Sequence, residues 1–213
     1  MKKRTIVLTT LVVIFIGAAY ILGWSTLFTV SSVEILGTHS PIISSVKPGQ
    51  KLARVEPRVI AGEFQKYDWI ESAAVDRNWI TGKVRITVVE RTPIAIYNNH
   101  AIDAKGFSFI IRSQNISGLP QIQAPSIESA LLAANFFDSL PLDITKLVRD
   151  VNVESGERFV LHLQLPQGFL ELRWGQNIEN ALKVKVYKAL LAQPENAKIK
   201  RIDLSAPHAP IVN

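Results

Sequence analysis

Tyr67-Asp68-Trp69-Ile70-Glu71-Ser72-Ala73-Ala74-Val75-Asp76-Arg77-Asn78-Trp79-Ile80-Thr81-Gly82-Lys83-Val84-Arg85-Ile86-Thr87-Val88-Val89-Glu90-Arg91-Thr92-Pro93 is the stretch on which the fold turns. Ala73 and Val75 alternate with Ala74 and Asp76; Val84, Ile86 and Val88 alternate with Arg85, Thr87 and Val89. Successive strand side chains point to opposite faces, so this alternation predicts two strands. Thr81-Gly82 supplies the turn between them. Upstream, Ile60, Phe64 and Tyr67 recur at helical spacing behind Pro57, which predicts a helix with those residues facing a core. A second helix is expected from Ser40-Pro41 to Pro48-Gly49, with Ser as cap and Pro at the first position. Val33 and Ile35 alternate with Ser32 and Glu34 in a short strand ending at Gly37. The order strand, helix, helix, strand, strand makes a small α+β unit.

Before this unit, no charged residue occurs from Thr5 to Val33, and Lys2-Lys3-Arg4 precedes that run. A membrane helix needs about 20 mostly apolar residues at 1.5 Å each, and a basic flank favours the cytoplasmic side. The expectation is a basic cytoplasmic tail (1–5), a transmembrane helix (6–27), the small unit (28–97) and an extracytoplasmic β domain (98–213). Tyr20 and Trp24 suit the outer interface. A cleaved signal peptide is the rival reading. It calls for a shorter apolar core and a small-x-small cleavage site, and neither is evident.

Beyond the small unit the chain is rich in strand patterns. Asn98-Asn99 and Lys105-Gly106 read as turns, Ser126 to Leu140 as a helix, and Val151–Val153, Phe159–Leu165 and Phe169–Trp174 as strands, the last two joined at Pro166-Gln167-Gly168. Ile178, Leu182, Val186 and Leu190 form an i, i+4 stripe, which predicts a helix from Asn177 to Gln193. Ile199 to Leu204 makes a final strand, expected at a sheet edge. An exposed edge offers unpaired backbone groups to a partner strand. Lys200, Arg201, Ile202, Asp203, Leu204, Ser205 and Ala206 are therefore candidate partner-binding residues; an ordinary edge blunted by Lys and Pro is the alternative. Arg158 is a further candidate, to meet an acidic partner.

Composition excludes several classes of function. The 213 residues contain no cysteine, so there is no disulfide framework and no thiol chemistry. Of the net charge of +6, three belong to the basic stub, and no basic run interleaved with aromatics points to nucleic acid. His39, His100, His162 and His208 lie far apart, without ligand spacing, so no metal site is expected. No nucleophile elbow or phosphate loop occurs, and no carboxylates form a convincing spaced pair; no catalytic residues, cofactor or small-molecule substrate is expected. Glu90-Arg91 reads as a structural pair rather than an acid–base couple. Trp69 is expected to cap a core. Trp79, at the hairpin tip, is open between that role and a partner anchor.

Tyr67-x-Trp69-Ile70-x-x-Ala73-x-Val75-x-Arg77-x-Trp79 followed by Val84-x-Ile86-x-Val88-x-Glu90-Arg91-x-Pro93 resembles the POTRA domain of the FtsQ/DivIB family of bacterial cell-division proteins. Val33-x-Ile35-x-Gly37, Ile102-Asp103-x-x-Gly106-x-x-Phe109, Leu119-Pro120, Leu172-x-Trp174-Gly175 and Ile202-Asp203-Leu204 are similar to further family elements, in order. Ile80 stands where a Pro usually follows the Trp, and the basic tail is short for the family. The resemblance implies an α+β chain: one N-terminal membrane helix, a POTRA domain (β-α-α-β-β) and a mostly antiparallel β domain. It implies a non-enzymatic, single-pass scaffold of the cytoplasmic membrane, concentrated at the septum. Its partners would be FtsB and FtsL at the C-terminal region, with FtsK and FtsW–FtsI also implied. A POTRA-bearing assembly or transport factor and an anchored cell-wall hydrolase are the alternatives from other classes.

Overall fold

The computed structural model describes residues 2–23, 27–112, 118–196 and 198–213. The interfacial role expected of Trp24, and the 24–26 portion of the expected span, lie outside the described residues. Contacts divide the chain into two compact units, Met1–Arg91 and Thr92–Asn213.

The first unit begins with helix α1, Lys2–Gly23. Its stretch Lys3–Ile21 is long and apolar enough to cross a membrane, and none of it is covered by protein. Strand β1 (Ser32–Leu36), helix α2 (Pro57–Phe64) and strands β2 (Ile70–Arg77) and β3 (Lys83–Glu90) follow. The sheet order is β1-β3-β2, with β1 parallel and β2 antiparallel to the central β3. Val84, Ile86 and Val88 bury one face of β3, as its alternation predicts. Ile60 and Phe64 of α2 are buried, one turn apart. Tyr67 is instead largely exposed, with its ring 6.0 Å from the buried Trp69.

The helix expected from Ser40 to Pro48 does not form: residues 41–50 are irregular, and only a 3₁₀ turn at Leu52–Arg54 precedes α2. The segment carries Ile42, Ile43 and Val46, whose branched side chains disfavour a helix. Ser44 further competes by accepting a bond from the Val46 N–H at 3.1 Å. Arg91 ties strand β3 to the segment before β2: its Nε donates to the Asp68 carbonyl at 2.9 Å.

The second unit is a nine-stranded sheet with helices on one face. Its elements are β4 (Ala95–Tyr97), β5 (His100–Ile102), β6 (Ser108–Phe109), β7 (Gln121–Gln123), helix α3 (Ile127–Asp138), the single turn α4 (Leu142–Thr145), β8 (Val148–Glu154), β9 (Arg158–Leu165), β10 (Gly168–Gly175), helix α5 (Asn180–Leu191), β11 (Arg201–Asp203) and β12 (Ile211–Val212). The order is β12-β11-β10-β9-β8-β7-β4-β5-β6, and most pairs are antiparallel. Helix α3 starts where Ser126 Oγ accepts the Ser129 N–H at 3.2 Å. It buries Ala130, Ala133, Ala134 and Phe136, and the small alanines let it lie close to the sheet. Phe136 stacks on Phe159 at 4.4 Å and tilts against Trp174 at 5.6 Å, which places the densest aromatic packing under β9 and β10.

Candidate functional site

The expected open edge at 199–204 is corrected by the topology. Strand β11 is interior, parallel to β10 on one side and antiparallel to β12 on the other. Among the described residues the edge belongs to β12. Ile202 and Leu204 are fully buried, because this short strand turns its alternate residues into the core beside Leu172. Their side chains are unavailable to a partner. Lys200 and Arg201 are exposed, but their backbone N–H groups both donate to the Asn213 carbonyl, at 2.8 and 3.0 Å, and the Asn213 N–H returns to the Arg201 carbonyl at 3.0 Å.

The register identifies which backbone groups of β12 face outward. Arg201 and Asn213 exchange both bonds, so the next opposed pair, Ile202 and Val212, is the non-hydrogen-bonded kind. The Val212 N–H and carbonyl therefore point away from β11, toward the open side. Ile211 and Val212 are exposed there, at 63% and 37%. The sequence carried only a faint sign of this strand: two branched residues after Pro210, too short for any periodicity.

Next to this edge the sheet's outer face is laced with charge. In register across β8, β9, β10 and β11 run Asp150, His162, Glu171 and Arg201; one row on run Asn152, Val160, Arg173, Asp203 and, on β12, Ile211. Glu171 Oε1 accepts from Arg173 Nε at 2.8 Å and lies 3.1 Å from Arg201 Nε. The Arg173 bond, then Arg201, holds the Glu171 carboxyl below the usual range against an opposing burial cost. Asp203 Oδ1 accepts the Ser205 N–H at 2.8 Å. A shallow cleft of about 200 Å³ opens here, lined by Glu154, Arg158, Phe159, Val160, Arg173, Gly175, Asp203 and Ser205. Of the expected residues, Arg158, Asp203 and Ser205 thus meet in one place. Arg158 is exposed, 3.9 Å from Glu154 and donating to Ser155 Oγ at 3.5 Å, both surface contacts of small energy. Ala206 lies just beyond, its carbonyl accepting the Ala209 N–H at 3.0 Å.

Gly175 sets the far wall. Its φ is +73°, and a Cβ there would sit 2.9 Å from Ser205 Cα. Only glycine permits both that backbone and that approach. Behind it Lys183 of α5 is fully buried, its ammonium donating to the carbonyls of Trp174 at 2.7 Å and Gln176 at 2.8 Å. Burial holds this lysine below its ordinary range, opposed by Glu179 and Asp203. Sequence reading missed both Lys183 and the Glu171–Arg173–Arg201 network: Lys183 of α5 meets a β10 carbonyl, and although Glu171 and Arg173 share β10, Arg201 joins them from β11.

Trp79 belongs to the other unit. Its ring packs edge-on against Phe28 at 6.1 Å, with the Arg77 guanidinium 5.2 Å from its centre. Among the described residues no group of three or more His, Asp or Glu could hold a metal ion. His162 lies 2.6 Å from Asp150, and His208 lies 3.2 Å from Glu179, in separate pairs.

An apolar helix, a three-stranded α/β unit and a long sheet closed by a two-residue edge define a POTRA-bearing chain with a β-rich companion unit. Residues 42–91 match the POTRA domain, FtsQ-type, and residues 95–205, just over half of the chain, match the C-terminal region of cell division protein FtsQ/DivIB. The chain belongs to the FtsQ/DivIB family. It is 31% identical over 104 residues to the cell division protein FtsQ of Salinibacter ruber, covering 45% of this chain and 39% of that protein. It is 27% identical over 122 residues to the FtsQ of Rhodothermus marinus, covering 54% of this chain and 42% of that protein. The matched stretch thus spans about two fifths of these curated relatives.

Proposed function

We propose that this protein is a non-enzymatic scaffold of bacterial cell division, anchored by α1 in the cytoplasmic membrane and recruiting partners by strand addition at β12. Its basic stub faces the cytoplasm, residues 28–213 lie outside, and the protein concentrates at the septum. The partners are FtsB and FtsL at the second unit, through which it influences FtsW–FtsI; the POTRA unit contributes contact with FtsK. The observation that carries this reading is the outward-facing backbone of Val212 beside exposed Ile211, at the open side of a nine-stranded sheet. A partner strand gains backbone bonds there, while the neighbouring cleft gives side-chain selectivity. Arg158, half-exposed and 3.9 Å from Glu154, is the rim cation that could meet a carboxylate of the partner segment.

Val212→Pro tests this directly. Proline deletes the outward N–H and leaves the Arg201–Asn213 bonds in place. The full chain, purified from membranes of dividing cells, is expected to bring down FtsB and FtsL as wild type and to lose them as the variant. Unchanged recovery sinks strand addition at β12; no recovery even by wild type sinks the partner assignment.

A further inference from the structure

The tip of the β2–β3 hairpin is apolar where solvent would favour polar residues. Asn78 closes the turn: its Oδ1 accepts the N–H groups of Ile80 and Thr81, both at 3.0 Å, and its N–H donates to the Lys83 carbonyl at 2.8 Å. The turn is thus built to hold Trp79 and Ile80 outward. Ile80 is 97% exposed and Trp79 37%. Leu27, on the segment that follows α1, is also largely exposed.

That segment is fastened to the hairpin tip. The Ser31 N–H donates to the Gly82 carbonyl at 2.8 Å, and the Ser31 hydroxyl donates to the Thr81 carbonyl at 2.8 Å. Gly82, at φ +74°, lies so close that a Cβ there would sit 2.5 Å from the Thr29 carbonyl oxygen. The Phe28 ring meets Trp79. Phe28 is five residues beyond the last residue of α1, so its backbone lies at most about 17 Å from the helix end. The polar layer of a bilayer occupies roughly the first 5–8 Å of that distance on each side. The hairpin tip is therefore tethered within reach of the lipid surface in which α1 ends.

We infer that the hairpin tip is a second membrane contact, with Ile80 seated among lipid chains near the headgroups and Trp79 at the headgroup level. Trp is the residue that favours this zone, since its ring is apolar and its N–H seeks a polar partner. The charge fits as well. No Asp or Glu occurs in 27–33 or 77–84; Arg77 donates to the Leu52 and Val55 carbonyls at 3.1 and 2.8 Å, and Lys83 holds the nearby Glu34 carboxylate at 2.8 Å, so the tip itself carries no anion. The contact gives the POTRA unit a fixed face toward the membrane instead of free rotation about one tether. It rests on the reading of α1 as a membrane anchor.

The chain has no cysteine, so single-cysteine variants carry one nitroxide each. Ile80→Cys, Val89→Cys at the opposite end of β3 and Ile14→Cys within α1 are prepared in the full chain, in nanodiscs of phosphatidylethanolamine and phosphatidylglycerol. Substituting the exposed Ile80 leaves the fold intact. The label at 80 is expected to collide more with oxygen and less with a water-soluble nickel chelate than the label at 89. Equal accessibility at 80 and 89, with position 14 in lipid, overturns the hairpin contact and leaves the anchor standing. A water-exposed label at 14 overturns both. Protection at 80 that arises only when a division-protein fraction is added assigns the tip to a protein partner and also overturns the inference.

Discussion

Lys183 is the sharpest point at which to test the architecture behind the candidate site. In β10 the pairing with β9 skips from Arg173 to Gly175, so Trp174 sits in a bulge with no registered partner. The Lys183 ammonium takes up its carbonyl at 2.7 Å, and the Gln176 carbonyl at 2.8 Å. Gln176 keeps a second donor, the Ile178 N–H at 2.8 Å. Lys183→Met thus strips the recorded donor from one buried carbonyl, which costs about 1–3 kcal/mol. Part of that is returned because the ammonium is no longer desolvated, leaving a net loss of about 1–2 kcal/mol. Lys183→Ala also removes three buried methylenes at about 0.8 kcal/mol each, for a total loss of about 4 kcal/mol. For a unit of this size these losses correspond to roughly 4–8 °C and about 15 °C in Tm. Thermal unfolding of the detergent-solubilised chain by circular dichroism reads them out in the transition of the second unit. Between the lowered native pKa and the unfolded value of about 10.4, the unfolded chain binds more protons, so Lys183 makes stability rise with pH in that window. Lys183→Met flattens that rise. The reasoning is refuted if Lys183→Met melts like wild type, or if Lys183→Ala is no worse than Lys183→Met.

Other consequences follow from the same geometry. Tyr187 is buried with its hydroxyl unpartnered, and burial pushes its pKa to about 12, so its contribution is intact below pH 10 and lost as pH rises toward 12. Tyr187→Phe is expected to match or exceed wild type at neutral pH, by up to about 1 kcal/mol in urea unfolding, and to lose less stability above pH 10. Glu171→Gln removes a carboxylate whose pKa is lowered by Arg173 and Arg201. The wild-type advantage over it should be complete above about pH 4.3 and disappear as pH falls through the lowered native value, checked by acid titration of the two proteins side by side. Gly175→Ala forces a strained backbone against Ser205 and should cost about 1–3 kcal/mol, read out by urea unfolding of the second unit.

Much of this protein was legible without coordinates because its signals are local. The apolar run that begins after Lys2-Lys3-Arg4 marks helix α1 by itself. The alternation of Val84, Ile86 and Val88 sets which face of β3 is buried, and Ser126 marks the start of α3, since both depend on neighbours a few residues away. The helix expected after Ser40 was not decided at that range: its cap motif is followed by branched Ile42, Ile43 and Val46 and by a Ser44 side chain that competes for the backbone.

Tertiary structure alone decided the site. Alternation shows that Ile199–Leu204 is a strand, but an edge is a statement about what lies alongside, and Ile211–Val212 returns from beyond Pro207 and Pro210 to cover it. The same holds for Arg201 of β11, which joins the Glu171–Arg173 pair of β10, and for Lys183 of α5 beneath the Trp174 bulge. Periodicity along a chain records which way a side chain faces; only the folded sheet determines what it meets.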